Sequence, residues 1–561
     1  LSKTLMDGLF AMEGISNQMD NLFQTFREQF PRLCFLSVRE IIQLLSFHPL
    51  VLKQQCFLRK CFKGVHQLEV EHKRLSNTSN LKSFRPSSEN PEEMNVLGVF
   101  GSLQEHIAFQ PSLGPNPDTL VWLCAFEKHL KLSMVKLIKQ CAVLRSQLES
   151  ISEDLTYNST VGPQSCNADK LENAHPLLEL LLDFPLQCLL VVEETFWCRG
   201  VLQALKQGSR LKLSNLKTYN STKLKILGNV IRSRVLGSEN KSLISKYAMM
   251  CLHALVQLAM NHGQQLSRLM DLPGVLETSF EWLSTMKYHI NSEDEILECR
   301  DNPSCYVDVL NHHFQYGFEY YGPDDWLMVH TPSTEKATLG IVLALTRYRS
   351  GFVSGPSMSG RTHTVIQLGK ALGQLVVVRQ CSPSMGSAVV QRMLLGAIQA
   401  GVWLLLESVD LLSQGETVLL PSQLNLLFEM TDLRDASPST VTRCGLVYFT
   451  QTDLWKAIWR SELDALSTEY KLDQVVQKMW NRMANDLFAN TLSFLVQHAL
   501  TSANHFERGS CENYGIQEIT SFVRILRALL EHFVKELQKP NTILQKDKRG
   551  MIITTHELRT L

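Results

Sequence analysis

The residues best suited to chemistry lie at 355–362, where the sequence reads Gly-Pro-Ser-Met-Ser-Gly-Arg-Thr. Glycines at this spacing let backbone N–H groups face phosphate oxygens, and a helix that follows adds its positive end. In a working loop a lysine then reaches the terminal phosphates, and the next hydroxyl holds Mg²⁺. Here Thr362 supplies the hydroxyl, but Arg361 stands at the lysine position. Gly355, Gly360, Arg361 and Thr362 are therefore a candidate nucleotide site with an altered cation.

A second candidate element is the pair Glu407-Ser408, which ends an apolar run. A hydrolytic phosphate site normally has two acids here, one for Mg²⁺ and one to polarise the attacking water. Glu407 remains for the metal, whereas Ser408 occupies the position of the catalytic carboxylate. Asp410 could replace it only if the loop were remodelled. A planar guanidinium at Arg361 also fits poorly between two phosphates. The pattern predicts a degenerate site; a loop kept only for the fold is the competing interpretation.

The elements around this loop alternate after about residue 310. A short apolar strand at 326–330 precedes a helix, and the phosphate loop leads directly into another helix. Two buried strands follow, separated by one more helix. The predicted helices are 334–348, 362–372 and 388–400, and the predicted buried strands are 375–379 and 402–406. Alternation at these lengths predicts a parallel sheet with crossover helices.

The half before residue 310 predicts a mostly helical body without a phosphate loop, metal-ligand cluster or nucleophile. Apolar residues recur at helical spacing to about residue 71, interrupted by a strand-like run at 30–36. A polar stretch at 73–93 predicts a flexible insertion. The remaining predictions are a short β-element at 95–110, a long helix at 119–150, a loop at 157–167, and helices from 177 to about 291.

Composition excludes several classes of function. The 561 residues carry 55 basic and 55 acidic side chains, so the net charge is zero. Zero charge argues against holding nucleic acid by bulk electrostatics. The longest apolar stretch, 177–192, is interrupted by charges and proline, which argues against a membrane span. The 14 cysteines contain no C-x-x-C pair and predict buried thiols rather than zinc ligands. Because the chain begins with Leu1, we expect it to be part of a longer protein.

Several short motifs together resemble the dynein heavy chain family. The segments 314–322 and 329–334, with the loop at 355–362, resemble the start of the first AAA+ module. The match continues through 368–373, 376–382 and 401–403. The N-terminal half resembles the dynein linker, the lever over the motor ring, most clearly at 30–37, 60–64, 184–187, 196–199 and 280–283. The resemblance implies a mainly α-helical linker followed by an α/β P-loop (AAA+) domain with a helical lid.

The tail resembles a different module. Residues 424–449 resemble the late part of the second AAA+ module, in which Arg443 would be the arginine that points into a neighbouring ATP site. About 80 residues separate Gly360 from Arg443, too few for one module and most of the next. We expect a joint between Asp410 and Gly415, with both parts able to complete one chimeric domain. The predicted regions are a linker at 1–310, a first-module half at 311–410, a second-module half at 411–453, a lid at 454–533 and a tail at 534–561.

The resemblance also implies a function. Intact family members are ATP-driven microtubule motors, so ATP and Mg²⁺ are the implied cofactors. Dynein intermediate, light intermediate and light chains are the implied partners, in microtubule-based movement or axonemal assemblies. We expect no stalk, nucleic-acid or membrane binding in this chain, and a cytoplasmic, cytoskeletal location extending to the cilium or flagellum. Because the ATP site is degenerate, we expect no hydrolysis. The alternative function is a non-catalytic pseudo-AAA+ scaffold without nucleotide dependence.

Overall fold

A computed structural model of the chain describes most of the sequence outside several connecting segments. The described residues are 2–46, 55–71, 95–157, 180–181, 183–236, 246–272, 274, 277–291, 304–324, 326, 331–355, 359–382, 385–408, 425–430, 442–449, 454–470, 472–502 and 516–537. The predicted insertion at 73–93, the loop at 157–167 beyond its first residue, and most of the strand at 326–330 lie outside them. So do Asp410 and the tail from residue 538 onward.

The N-terminal body consists of helices with two small sheets between them. Its helices are α1 (Ser2–Gln29), α2 (Val38–Ser46), α3 (Gln55–Cys61), α4 (Thr119–Tyr157), α5 (Leu186–Lys206), α6 (Arg210–Leu236), α7 (Lys246–Asp271) and the one-turn α8 (Phe280–Leu283). Helix α7 shows why they form: Cys251, Leu255, Ala259 and Leu266 recur along one buried face. The long helices that the sequence predicts are thus present, and α4 continues seven residues beyond its predicted end.

Two three-stranded antiparallel sheets accompany the helices of this half, beyond the short β-element that the sequence predicted. The first contains β1 (Gln67–Val70), β2 (Val96–Phe100) and β3 (His106–Leu113); the second contains β4 (Lys287–Ile290), β5 (Cys305–Val309) and β6 (His312–Gln315). Apart from the strand-like run at 30–36, the sequence predicted β-structure in this half near β2 and β3. The second sheet was missed because its strands are only four or five residues long, too short for a periodic signal.

The strand-like run at 30–36 is also wrong as a prediction, because it forms a 3₁₀ helix over Pro31–Phe35. Pro31 fixes the backbone at the first helical position, where no N–H is needed. The Leu33 N–H then donates to the Phe30 carbonyl, and the Leu36 N–H donates to the Leu33 carbonyl. The apolar side chains of this segment are buried. Because they are buried on several sides of the turn, the segment has the same apolar composition as a buried strand.

The α/β domain contains one five-stranded parallel sheet. Its strands are β7 (Gly351–Ser354), β8 (Val376–Gln380), β9 (Trp403–Glu407), β10 (Leu426–Met430) and β11 (Gly445–Tyr448), in the spatial order β11-β7-β10-β9-β8. Every pairing in it is parallel. The helices α9 (Pro332–Thr346), α10 (Arg361–Ala371) and α11 (Ser387–Ala400) alternate with the early strands. The predicted parallel sheet with alternating helices is therefore present.

The strands of the tail segment complete this same sheet. β10 lies between β7 and β9, and β11 pairs with the other side of β7. Leu427 is fully buried in β10, as Leu404 and Leu405 are in β9. Residues on both sides of the predicted joint thus share one apolar core. Their origin in two different modules stays a prediction.

Three helices follow the sheet: α12 (Leu454–Tyr470), α13 (Gln474–Ser502) and α14 (Ile516–Leu537). They pack around Trp459, Phe488 and Val523, with a second small cluster around Leu466 and Leu530. Helices therefore occupy the region predicted to be the lid, and α14 extends four residues beyond the predicted boundary. Its role as a lid stays a prediction.

The helical body is joined to the α/β domain through a buried arginine. Arg32 Nη1 and Nη2 donate to the two carboxylate oxygens of Glu319, each at 2.8 Å, and Nη2 also donates to Glu127 at 2.8 Å. Nη1 donates further to the Cys61 carbonyl, and the guanidinium lies over the Phe62 ring. Burial opposes its charge, but Glu319 and Glu127 together raise the pKa of Arg32. We call this group the Arg32 junction.

Candidate functional site

The candidate site begins where β7 ends and α10 starts. Gly355 follows β7 with φ +150°, and a Cβ placed there would lie 2.7 Å from the Phe449 carbonyl oxygen. Gly360 is the N-cap of α10 with φ +89°, in the left-handed region. Residues 356–358, the tip of the loop, lie outside the described residues. The glycine loop thus leads directly into a helix, as predicted, with both glycines at positions that need them; the strand β7 before the loop was not predicted.

Arg361 does not extend from the helix as the lysine of a phosphate loop would. Its Nη1 donates to the carbonyl oxygens of Gly355, at 2.6 Å, and of Met430. Its Nε lies 3.2 Å from Glu429 Oε1. The side chain is 8% exposed and lies across the carboxyl ends of β7 and β10. The cation expected to reach a phosphate is instead bonded within the sheet.

Thr362, the expected Mg²⁺ ligand, lies between two carboxylates. Its hydroxyl is 2.8 Å from Glu407 Oε1 and 2.6 Å from Glu429 Oε2. Glu407 and Glu429 are register partners at the ends of the adjacent strands β9 and β10. The two acids and the hydroxyl therefore form one cluster, which we call the acid edge.

The protonation of the acid edge follows from its geometry. A threonine hydroxyl carries one hydrogen, so it can donate to only one carboxylate at a time. Burial raises the pKa of Glu429, and the charge of Glu407 raises it further, while Thr362 and Arg361 lower it. A protonated Glu429 could donate to Thr362 while Thr362 donates to Glu407. Burial and the neighbouring charge of Glu407 therefore favour the protonated form of Glu429, while Thr362 and Arg361 oppose it.

Two other predicted residues occupy different places. Ser408 directly follows β9 with φ +53°, an unusual conformation for a non-glycine residue. That Ser408 occupies the position of a catalytic carboxylate stays a prediction. Arg443 is exposed and lies before β11, whose first residue, Gly445, pairs with Gly351 at the start of β7. Arg443 therefore lies at the amino ends of the strands, whereas the acid edge lies at their carboxyl ends. Given the rise of a strand, the two are about 10 Å or more apart.

Sequence reasoning missed Glu429 as a site residue. It stood out only as part of a motif in the tail, 22 positions after Glu407. The available signal was that it nearly ends an apolar run, and carboxyl ends of parallel strands meet at one edge of the sheet. Using that signal required knowing that β10 lies next to β9 and β7, which the chain order does not give.

The donor set of the acid edge fits Mg²⁺ in part. Hard cations of this kind prefer carboxylate and hydroxyl oxygens, which Glu407, Glu429 and Thr362 supply. Within the described residues, no group of three or more His, Cys, Asp or Glu side chains is placed to hold a metal ion.

The described part of the chain also contains no helix with the length and apolar character needed to cross a bilayer. Ten cysteines of the described residues form no disulfide, and eight of these ten are buried.

Comparison with known families now adds to this geometry. Residues 316–423 match the family described as the hydrolytic ATP binding site of the dynein motor region. Residues 1–141 match the family described as dynein heavy chain, N-terminal region 2. The chain is related to the dynein heavy chains. The first match includes β7, the glycine loop, Arg361, Thr362 and Glu407, so the acid edge lies largely within a dynein-type ATP-binding region.

Individual relatives agree with the two family matches. Human dynein heavy chain domain-containing protein 1 is 30% identical over 433 residues, which cover 74% of this chain and 9% of that relative. The mouse protein of the same description is 27% identical, over 73% of this chain and 9% of the relative. Human dynein axonemal heavy chain 2 is 26% identical, over 72% of this chain and 8% of the relative. This chain thus spans less than a tenth of the length of these relatives.

Proposed function

We propose that this chain is the linker and P-loop portion of a dynein-heavy-chain-like protein of microtubule-based movement, and that its ATP site is degenerate. The axonemal relatives support the association with cilia and flagella. Dynein intermediate, light intermediate and light chains are the proposed partners of such a protein, and its proposed location is cytoskeletal, in the cytoplasm or the axoneme. The single observation that carries the degenerate site is the inward orientation of Arg361.

The geometry supports a division between binding and catalysis. If nucleotide binds, the N–H groups at the start of α10 would face its phosphates, and Thr362, Glu407 and Glu429 would supply oxygen ligands to Mg²⁺. Bound Mg²⁺ would offset the charge of the phosphate oxygens. Arg361 would have to leave two carbonyls and Glu429 to reach a phosphate, and Ser408 cannot accept a proton from water as a carboxylate does. Hydrolysis is therefore the part of the chemistry that we propose is missing.

The experiment measures Mg·ATP binding by calorimetry and turnover by phosphate release, using the full chain. We expect no turnover in the wild-type chain, and binding that strengthens in the Arg361→Lys variant. Arg361→Met is the matched control, because it removes the same internal contacts without supplying an ammonium group. Phosphate release by the wild-type chain that disappears in Arg361→Met would overturn the proposal.

A nucleotide-independent scaffold is the second candidate function. It is favoured by the same contacts, because Arg361 and Glu429 already tie β7, β10 and α10 together without a ligand. Under this proposal, millimolar Mg·ATP leaves the melting temperature unchanged in both the wild-type chain and Arg361→Lys. A rise in melting temperature for the wild-type chain would favour the first candidate, since a ligand that binds the folded state stabilises it.

A further inference from the structure

The first turns of α1 carry an apolar stripe that the rest of the described chain does not cover. Its five members recur at the three- and four-residue spacing of one helix face, and each is between 40% and 69% exposed: Leu9, Met12, Ile15, Met19 and Leu22. Scattered exposed apolar residues are ordinary, but a contiguous stripe of this kind marks an interaction surface. We call these five residues the α1 stripe.

The face that carries the α1 stripe is already buried where the helix ends. Phe23, Phe26 and Phe30 continue it at the same spacing. Phe23 and Phe30 are 4% and 1% exposed in the core of the helical body, and Phe26 packs against that core. The α1 stripe therefore continues a surface along which this chain already packs, past the edge of the helical body. An apolar surface with this continuity is suited to a packed contact rather than to water.

This part of α1 also has little stability of its own. Gly8 and Gly14 lie within it, and nothing is found within 4 Å of a Cβ placed at either position. Glycine is less favourable in a helix interior than any residue except proline. Isolated helices of about 15 residues are marginal in water even without glycine, because most helical stability in proteins comes from packing of an apolar face. The N-terminal turns of α1 therefore need a partner against the α1 stripe.

We propose that the α1 stripe packs against the α1 stripe of a second copy of this chain, forming a two-fold symmetric dimer. A two-fold contact uses one surface on both copies, and an apolar helix face is complementary to itself. The five side chains expose about 500 Å² per copy, so their pairing would bury about 1,000 Å², enough for a weak specific dimer. Met12 and Met19 have flexible side chains that adapt to the facing helix. The α1 stripe shares no residue with the acid edge, so the dimer does not depend on nucleotide binding there.

Sedimentation velocity of the full chain, at concentrations from about 1 to 100 μM, measures the dimer, because an interface of this size binds weakly. We expect the mass to rise from one copy to two with concentration. Ile15→Glu should weaken dimerisation by about tenfold or more, since pairing would bury an unpaired carboxylate from each copy. Phe10→Glu is the matched control: Phe10 is 78% exposed on the same helix but lies on the side opposite the α1 stripe. The same new charge at that position should leave the dimer unchanged.

Complementary charges separate a defined pairing from general association. Ile15 is the middle residue of the α1 stripe, so it lies near its own counterpart in a two-fold contact. Ile15→Glu and Ile15→Lys should each stay largely monomeric alone and should dimerise when mixed, because the mixture places opposite charges at the contact.

The outcomes that would overturn the proposal are distinct. A wild-type chain that stays monomeric throughout would assign the α1 stripe to a different occupant. Equal dissociation by Phe10→Glu and Ile15→Glu would place the contact elsewhere on the chain. Association that continues beyond two copies, or a mixture of the two Ile15 variants that does not dimerise, would rule out the two-fold pairing.

Discussion

The Arg32 junction contains one buried arginine, and a second buried arginine, Arg361, lies beside the acid edge. The two arginines have different partners. Arg32 has two carboxylates and a carbonyl as acceptors, on elements far apart in the sequence. Arg361 has two carbonyls and one carboxylate, which is itself shared with Thr362. Arg32 is therefore surrounded by acceptors that favour its charge, whereas Arg361 lies beside a glutamate, Glu429, whose pKa is raised by burial. The charge of Arg32 stabilises the contact between the helical body and the α/β domain. Arg361 instead bonds to carbonyls and Glu429 next to the side chains proposed to bind Mg²⁺.

The comparison predicts that the largest loss of stability comes from the junction. Arg32→Met removes the cation and leaves the buried Glu319 without its partner, which costs about 3–5 kcal/mol. Urea unfolding followed by tryptophan fluorescence measures the change in the free energy of unfolding. Arg39→Met is the matched control, because Arg39 is exposed on α2; it should change stability by less than about 0.5 kcal/mol. A loss below about 1 kcal/mol for Arg32→Met would show that the junction is not what joins the two bodies.

A second prediction tests how closely the two bodies pack beside the junction. In Gly396→Ala the new methyl would meet Cys34 Cβ at 2.3 Å, and the Pro31 carbonyl oxygen lies 3.3 Å away. Such overpacking costs about 1–3 kcal/mol. Gly14→Ala is the helical control: nothing lies within 4 Å of its Cβ position, so the better helix former should stabilise α1 by up to about 1 kcal/mol. Melting temperatures of both variants check the prediction, and equal shifts would contradict it.

The difference between the two regions also explains what the sequence could predict. The P-loop pattern, Glu407 and the alternation after residue 310 are local, so they predicted α9–α11, β8 and β9 nearly to their ends, whereas the four-residue strand β7 was not predicted. Arg32 was seen only as part of a motif, because its partner Glu319 lies 287 positions away. Glu429 was missed for the same reason, since strand order is a property of packing. The 3₁₀ helix and the β4–β6 sheet were not predicted, because elements of four or five residues are too short to show a periodic pattern.

The third prediction concerns the pH dependence of the acid edge. Glu429 has a raised pKa, mainly because it is buried. The folded chain therefore binds this proton more tightly than the unfolded chain does. Its contribution to stability is fully present below the ordinary pKa of glutamate and is lost as the pH rises through the raised value. Relative to Glu429→Gln, the wild-type chain should therefore lose stability as the pH rises above the ordinary pKa of glutamate.

Urea unfolding of both chains, from below to above the ordinary pKa of glutamate, measures the difference, and Glu40→Gln provides the opposite control. The pKa of Glu40 is lowered to about 2, chiefly by its hydrogen bond with Lys60. Its contribution is therefore present above the ordinary pKa and lost only as the pH falls towards that value. Parallel pH curves for the wild-type chain and Glu429→Gln would mean that the pKa of Glu429 is not raised in the folded chain.

The smallest expected effect tests the backbone beside the acid edge. Ser408 adopts φ +53°, which costs a non-glycine residue about 1 kcal/mol but costs glycine little. Ser408→Gly should therefore change stability by between zero and about +1 kcal/mol, since the gain in the folded state is offset by the greater freedom of glycine in the unfolded chain. Ser408→Ala keeps the strain and loses only the hydroxyl, so it should be no more stable than the wild-type chain. If Ser408→Ala were as stable as Ser408→Gly, the hydroxyl group would be the unfavourable feature. The left-handed backbone would then cost little, and a carboxylate side chain could be placed at position 408 without backbone strain.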